Sequence, residues 1–342
     1  MNANYRIMDM SITLNQPRHF TEIADLNQRE LKSVIDEAMS IHSLRTTGPR
    51  ERHSQLLQTA VAFLSTKESL RTQASIGQAA AYLGGQAVSF GRNAFVDEQG
   101  QPRESVHDMV RCLEEQGYPI IFARLHTHQQ ILEMVAACKS ASIINALTDR
   151  HHPLQALADI AALKQCTKSV LDDEGKQKEK RHRIAFMGDG NNVATSLGQA
   201  TAILGWDFVH SGPETRKIPD QEWKKIKQLA STYSGSSRYE PQPEEAVEGA
   251  TLIYTDVFAS MGEKSKAKAL KEVLAPYKVT SALMERAGPN ALFGHCLPAE
   301  RDVEVDSDVI DGPQSIVYTI AGYRMDTTAA LMRMLLETNC RI

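Results

Sequence analysis

The feature that most constrains this chain is a repeated switch between two hydrophobic periods. Short apolar runs of strand length occur at 60–64 (AVAFL), 120–123 (IIFA), 142–144, 184–187 (IAFM), 207–210, 252–254 and 291–295. Between several of them lie segments whose apolar residues recur every three or four positions, the spacing of a helix face. Examples are Leu31, Val34, Ile35 and Ala38 behind the capping box Asn27-Gln28-Arg29-Glu30, and Ile76, Ala79, Ala80 and Leu83 before Gly84-Gly85. Leu154, Leu157, Ala158, Ile160 and Ala161 make a third, 193–204 and 264–274 two more, and Ala329, Leu331, Met332, Met334 and Leu335 the last. Strands alternating with helices build parallel sheets covered on both faces. The expected fold class is therefore α/β. At 342 residues the chain is about twice the ~150 of one domain, so two such units are expected. The stretch 172–183 (DDEGKQKEKRHR), dense in both charges, reads as a solvated loop at the edge of the second.

Several function classes fall away on composition. A net charge of −4 argues against nucleic-acid binding driven by bulk charge. No run of 18 apolar residues suggests a membrane span. The first residues, MNANYRIMDMS, carry neither an apolar signal core nor an acid-poor transit pattern. Five cysteines without a CxxC pair suit a reducing, cytoplasmic compartment better than a disulfide framework or a zinc cluster.

In parallel sheets, ligands bind beyond the carboxyl ends of strands, so polar residues just after each apolar run carry the functional information. After the first run stands Ser65-Thr66-Lys67-Glu68-Ser69-Leu70-Arg71-Thr72, a helix start with hydroxyls and a guanidinium. It reads either as an anion site or as a serine cap beside an exposed arginine; the glycine spacing of a P-loop is absent. Arg124 ends the second run, with His126 and His128 following; lacking a carboxylate or cysteine at ligand spacing, these two read as surface histidines. His152-Pro153-Leu154-Gln155 opens a helix with proline in its first turn. Gly188-Asp189-Gly190-Asn191-Asn192 lacks the third glycine of a dinucleotide fingerprint and reads as a tight turn offering amides to a small ligand. Asp256 with Ser260-Met261-Gly262, and His295-Cys296-Leu297-Pro298, complete the set of strand-ending groups. The Cys296 thiol would ionise only in electropositive surroundings.

In this order and spacing, these segments resemble the aspartate/ornithine carbamoyltransferase family, and within it most closely the members that carbamoylate ornithine. The resemblance spans roughly residues 20–338. It implies a carbamoyl-phosphate domain at 1–165, with a C-terminal helix at 325–342 packing back on it, and an amino-acid domain at 166–324. It further implies a homotrimer, or a multiple of trimers, with sites between subunits, and no metal or organic cofactor. Carried onto this chain, Ser69, the Leu70 backbone, Arg71 and Thr72 hold the phosphate. Arg124, His152 and Gln155 bind the carbamoyl end with Arg324 and the Leu297 carbonyl. Asn192, Asp256, Ser260 and Met261 hold the α-amino and α-carboxylate groups, and Cys296 sits beside the attacking amine. Arg71, Arg124, His152, Cys296 and Arg324 are the expected catalytic residues.

The chain departs from the family pattern at four places. Leu70 and Gln73 replace the Thr and second Arg of Ser-Thr-Arg-Thr-Arg, and Gly77 replaces an acid four residues after that Arg. Loss of both partners reads as loss of a structural helix ion pair. Ala321-Gly322-Tyr323-Arg324 stands where Ala-Glu-Asn-Arg is commoner, and 92–104 differs from the loop that in relatives reaches the neighbouring subunit. Two alternatives accompany the ornithine reading: carbamoylation of another amine, lysine or putrescine, and a catalytically silent paralogue that binds carbamoyl phosphate.

Overall fold

The computed structural model describes residues 17–48, 55–56, 58–67, 69–97, 103–167, 170–171, 177–178, 181–258 and 267–339. Its first sheet contains β1 (Ala60–Ser65), β2 (Gln86–Phe90), β3 (Ile120–Arg124) and β4 (Ser142–Leu147), all parallel in the order β2-β1-β3-β4. Around it lie α1 (Gln28–Thr47), α2 (Leu70–Tyr82), α3 (Val106–Glu115), α4 (His128–Ala137) and α5 (Pro153–Cys166). A short antiparallel pair, β5 (Val170–Leu171) with β6 (Gln177–Lys178), leads to the second sheet.

That sheet is also parallel, in the order β11-β10-β7-β8-β9, built from β7 (Arg183–Met187), β8 (Asp207–Ser211), β9 (Ser236–Tyr239), β10 (Leu252–Thr255) and β11 (Leu292–His295). Its helices are α6 (Asn192–Ile203), α7 (Asp220–Thr232), α8 (Pro243–Ala246), α9 (Ala267–Leu274), α10 (Ser281–Ala287) and α11 (Ser307–Ile310). The last helix, α12 (Val317–Asn339), packs against α1, α2 and α5.

Register makes the cleft. Ser65, Arg124 and Leu147 lie abreast in the first sheet, as do Ser211, Met187, Thr255 and His295 in the second. The chain therefore leaves several neighbouring strands at the same level, and the residues that follow are delivered to one place. Between the sheets, α5 is buried on every side from Pro153 to Leu163, and α6 from Val193 to Ile203. A helix apolar all round needs neighbours all round; α5 finds them in α1, α6 and α12.

Three expectations are corrected. The stretch 172–183 is not loop throughout: Gln177–Lys178 pairs as a strand, His182 is buried edge-on against Trp206, and Arg183 opens β7. The C-terminal helix begins at Val317, eight residues before 325. Residues 264–266 of the helix expected from 264 lie outside the described residues; from Ala267 the helix is present. His128 is not a surface histidine. It is 6% exposed, its ring packed against His151 and its Nδ1 3.3 Å from the Thr148 hydroxyl; His126 is exposed. Two strands, β2 and β9, carried no readable signal. Both are edge strands, half exposed, so neither needs the continuous apolar run of a central parallel strand.

Candidate active site

The strand ends open onto a cleft of about 970 Å³ between the two sheets. Every expected site residue lines it except Gln155, which is buried behind, and Ser260 and Met261, which lie outside the described residues.

On the first-sheet side the cleft is cationic. Ser69 caps α2, its hydroxyl oxygen accepting from the Thr72 amide, so the helix N-terminus faces the cleft. The Thr72 hydroxyl oxygen accepts from Arg124 at 3.4 Å and from Arg324 at 3.3 Å, joining α2, β3 and α12 at one atom. Arg324 also donates to the Gln155 amide oxygen, while the Gln155 Nε2 donates to Asp159 at 2.8 Å. The Tyr254 hydroxyl donates to the same Asp159 oxygen at 3.0 Å. Gln155 thus aims a buried arginine and is itself aimed by a buried acid.

The electrostatics is one-sided. Among the described residues, Arg71, Arg124 and Arg324 form no ion pair, and the Nε atoms of Arg124 and Arg324 have no hydrogen-bond partner. Burial and the neighbouring arginines lower the pKa of Arg124 to about 10; burial lowers that of Arg324 to about 10. Buried cations without counter-ions are costly, so this half of the cleft is arranged for an anion. His152, 6% exposed, follows the same field: burial and the three arginines push its pKa well below the usual imidazole range. Its ring is a neutral hydrogen-bonding group, with Nδ1 unpartnered, and its backbone N–H donates to Ser196 at 2.8 Å.

The second-sheet side is polar and acidic. Asn191 caps α6, its side-chain oxygen accepting from the Val193 and Ala194 amides, while its Nδ2 donates to Asp256 at 2.8 Å. The Cys296 thiol donates to the other Asp256 oxygen at 2.9 Å. Burial and Asp256 drive the thiol pKa well above normal, so Cys296 is a protonated donor and not a thiolate. Asn192 commits one amide hydrogen to the Thr148 carbonyl at 2.5 Å, tying this turn to the first-sheet half. Gly190 is required there, because a Cβ would lie 2.1 Å from the Ile218 nitrogen. Beside it, Arg216 grips Asp189 through two bonds of 3.0 and 2.7 Å. Leu297 sits at φ 54°, its N–H held by the His295 ring at 2.8 Å.

The sequence reading gave no role to Asn191, Tyr254 or Thr148, nor to Lys67 and His126, which line the cleft. Asp159 had a usable signal: it stands four residues after Gln155 on a helix, where side chains meet. Asn191 had one as a helix cap. Tyr254 and Thr148 are brought in by tertiary packing, whereas Lys67 and His126 follow strand ends already read as bearing polar site groups. Leu70 is 80% exposed at the rim. Gln73 is exposed, and the place of a Gly77 side chain is open space, so the missing ion pair leaves no buried group unsatisfied. Tyr323 instead fills the core, stacked on His42 at 4.3 Å.

Comparison with known proteins gives one answer along the whole chain. Residues 18–165 match the family model "Aspartate/ornithine carbamoyltransferase, carbamoyl-P binding domain", and residues 180–335 the companion "Asp/Orn binding domain". The chain is similar to the ornithine carbamoyltransferase of Methanopyrus kandleri, at 32% identity over 93% of this chain and 97% of that one. It is similar to that of Bacillus subtilis at 36% identity, covering 92% of each. Among solved structures, the ornithine carbamoyltransferase from Pyrococcus furiosus matches with a TM-score of 0.84 at 32% identity, over 94% of this chain and 98% of that one.

Proposed function

Since the chain belongs to the aspartate/ornithine carbamoyltransferase family, we propose that its cleft transfers the carbamoyl group of carbamoyl phosphate to the side-chain amine of L-ornithine, giving L-citrulline and phosphate. The observation that carries the reading is the convergence of Arg71, Arg124 and Arg324 without a carboxylate partner among the described residues, opposite a wall built on Asp256. One half of the cleft suits an acyl phosphate, and the other an ammonium group.

Each residue then has a task. Ser69, Thr72, Arg71 and the Leu70 amide at the α2 N-terminus take the phosphate. Arg124, the neutral His152 and Arg324, aimed by Gln155, surround the carbamoyl oxygen together with the Leu297 carbonyl, which takes the carbamoyl NH2. Asp256, with Ser260 and Met261, binds the α-amino group, and Asn192 the α-carboxylate. Cys296 donates to Asp256 and sits beside the attacking side-chain amine. The neutral amine attacks the carbamoyl carbon; negative charge grows on the carbonyl oxygen, the bond to the phosphate oxygen breaks, and the nitrogen sheds its proton. Fixed donors aimed at that oxygen and at the departing phosphate stabilise both charges without reorganising. Holding the two substrates in attack geometry supplies much of the remaining rate.

The same proposal covers the wider setting. Residues 1–165 with the C-terminal helix, now from Val317, form the carbamoyl-phosphate unit, and the remainder up to that helix the amino-acid unit. Assembly as a homotrimer or a multiple of trimers, in which a neighbour completes the site, is part of the same proposal, and the exposed Leu70 at the rim is left for such a neighbour to cover. Four described cysteines are free thiols, which supports a reducing, cytoplasmic setting; the place in arginine metabolism rests on citrulline as the proposed product. No described helix is long and apolar enough to cross a membrane. The deciding experiment is a carbamoylation assay of the purified protein against ornithine, lysine, putrescine and aspartate. Ornithine is expected to lead. Transfer to none of them would support the silent paralogue, and a preference for putrescine would overturn the head-group assignment.

A further inference from the structure

Outside the cleft, behind His152, one buried cluster is not used by the reaction. Glu22 comes from the segment before α1, His151 from the β4–α5 connection, and Glu222 from the first turn of α7. The His151 Nε2 lies 3.7 Å from Glu22 Oε2 and 3.8 Å from Glu222 Oε2, beyond hydrogen-bond reach of both. The His151 side chain is 2% exposed and that of Glu222 9%. The His151 Nδ1 is buried without a hydrogen-bond partner among the described residues. Buried polar groups of this kind normally have partners. Here two carboxylates and an imidazole converge on a point that none of them fills.

We propose that Glu22, His151 and Glu222 form a divalent-cation site, best suited to zinc, that joins the first-sheet half of the molecule to α7 of the second. A nitrogen and an oxygen bound tetrahedrally to zinc at ~2.0–2.2 Å stand about 3.4 Å apart, so the two His151–carboxylate separations need close by only a few tenths of an ångström, and all three ligand atoms lie within 4.8 Å of one another. Mixed imidazole and carboxylate donors suit zinc, and a water would fill the fourth position. The ligands are already held. Lys225 bonds the other oxygen of Glu22 at 2.6 Å, and Gln199 donates to Glu22 Oε2 at 2.8 Å, leaving that oxygen a second lone pair. His128 packs edge-on against the His151 ring at 4.8 Å. Two carboxylates face the imidazole, with Lys225 and Arg150 as the nearby cations. The second candidate group, Asp256, His295 and Cys296, lies in the substrate cleft, with its thiol already donating to Asp256 and its imidazole Nδ1 already accepting from the Leu297 N–H.

The test is zinc binding by the full-length, chelator-stripped protein, followed by calorimetry, for the wild type and Glu222→Gln. The wild type is expected to bind one more zinc per chain than the variant, or to bind it at least ~10-fold more tightly, since loss even of a supporting partner costs that much. X-ray absorption on the zinc-loaded wild type is expected to show only nitrogen and oxygen near 2.0–2.2 Å. Equal binding by the two proteins, or no binding by the wild type, overturns the proposal. So does a sulfur neighbour near ~2.3 Å, which would put the metal at Cys296. The absorption measurement stands on the wild type alone, whether or not the variant folds.

Discussion

Asp159 offers a quantitative test of how the buried arginine is positioned. Its carboxyl is fully buried on α5, accepts from Gln155 and Tyr254 through one oxygen, and leaves the other oxygen unpartnered. Burial raises its pKa from 3.8 to about 7. The folded protein therefore holds a proton that the unfolded chain has released over the interval between those values. Stability falls with rising pH wherever the folded state binds more protons. At about 1.36 kcal/mol per pH unit, the penalty grows from pH 3.8, is complete above pH 7, and reaches roughly 4 kcal/mol. Asp159→Asn keeps an acceptor for Gln155 and Tyr254 but cannot ionise. Measured by urea unfolding, the stability of the wild type relative to this variant should fall by roughly 3 kcal/mol between pH 5 and pH 8, and then stay level. Subtracting the variant removes the contribution of other titrating groups. Parallel pH profiles would refute the reasoning, by showing that Asp159 is charged throughout and paired with Arg324 instead.

Three further outcomes follow from the site. Arg71→Ala should cost several kcal/mol in kcat/KM for carbamoyl phosphate, because a charge-assisted contact to the departing phosphate is lost; unchanged kinetics would remove Arg71 from the phosphate site. Gln73→Arg with Gly77→Glu should raise stability by about 1 kcal/mol, chiefly by removing a glycine from a helix interior where a side chain meets open space. Thermal melts and turnover should therefore diverge, and a large gain in kcat without a gain in Tm would revive the silent-paralogue reading. Ornithine should exceed putrescine by orders of magnitude, with Asp256→Ala erasing most of the gap, since unfilled buried polar groups are penalised. Lysine should be poor but detectable in the same steady-state comparison, its extra methylene being worth only ~1–3 kcal/mol.

What the sequence determined by itself is local. The 60–64, 120–123 and 184–187 runs are buried on both faces of parallel sheets, and such strands must be apolar throughout, so their existence and direction could be read off directly. Helix starts were equally plain at Asn27 and at Pro153, because a capping box and a first-turn proline act within four residues. The same locality explains the failures. Edge strands β2 and β9 answer to solvent on one side and carry no such pattern, and His128 looked exposed because nothing near it in the chain shows that His151 covers it.

What the tertiary structure alone decided is which charges face one another. Arg71, Arg124 and Arg324 are separated by up to 253 positions, yet they share one cleft, because register ends β1 and β3 abreast and α12 folds back over α2 and α5. Whether Cys296 is a thiol or a thiolate was equally invisible, since it depends on Asp256 arriving 2.9 Å away from another strand. Ionisation states depend on burial and on the charges within a few ångströms, and both are properties of the folded surroundings rather than of chain neighbours.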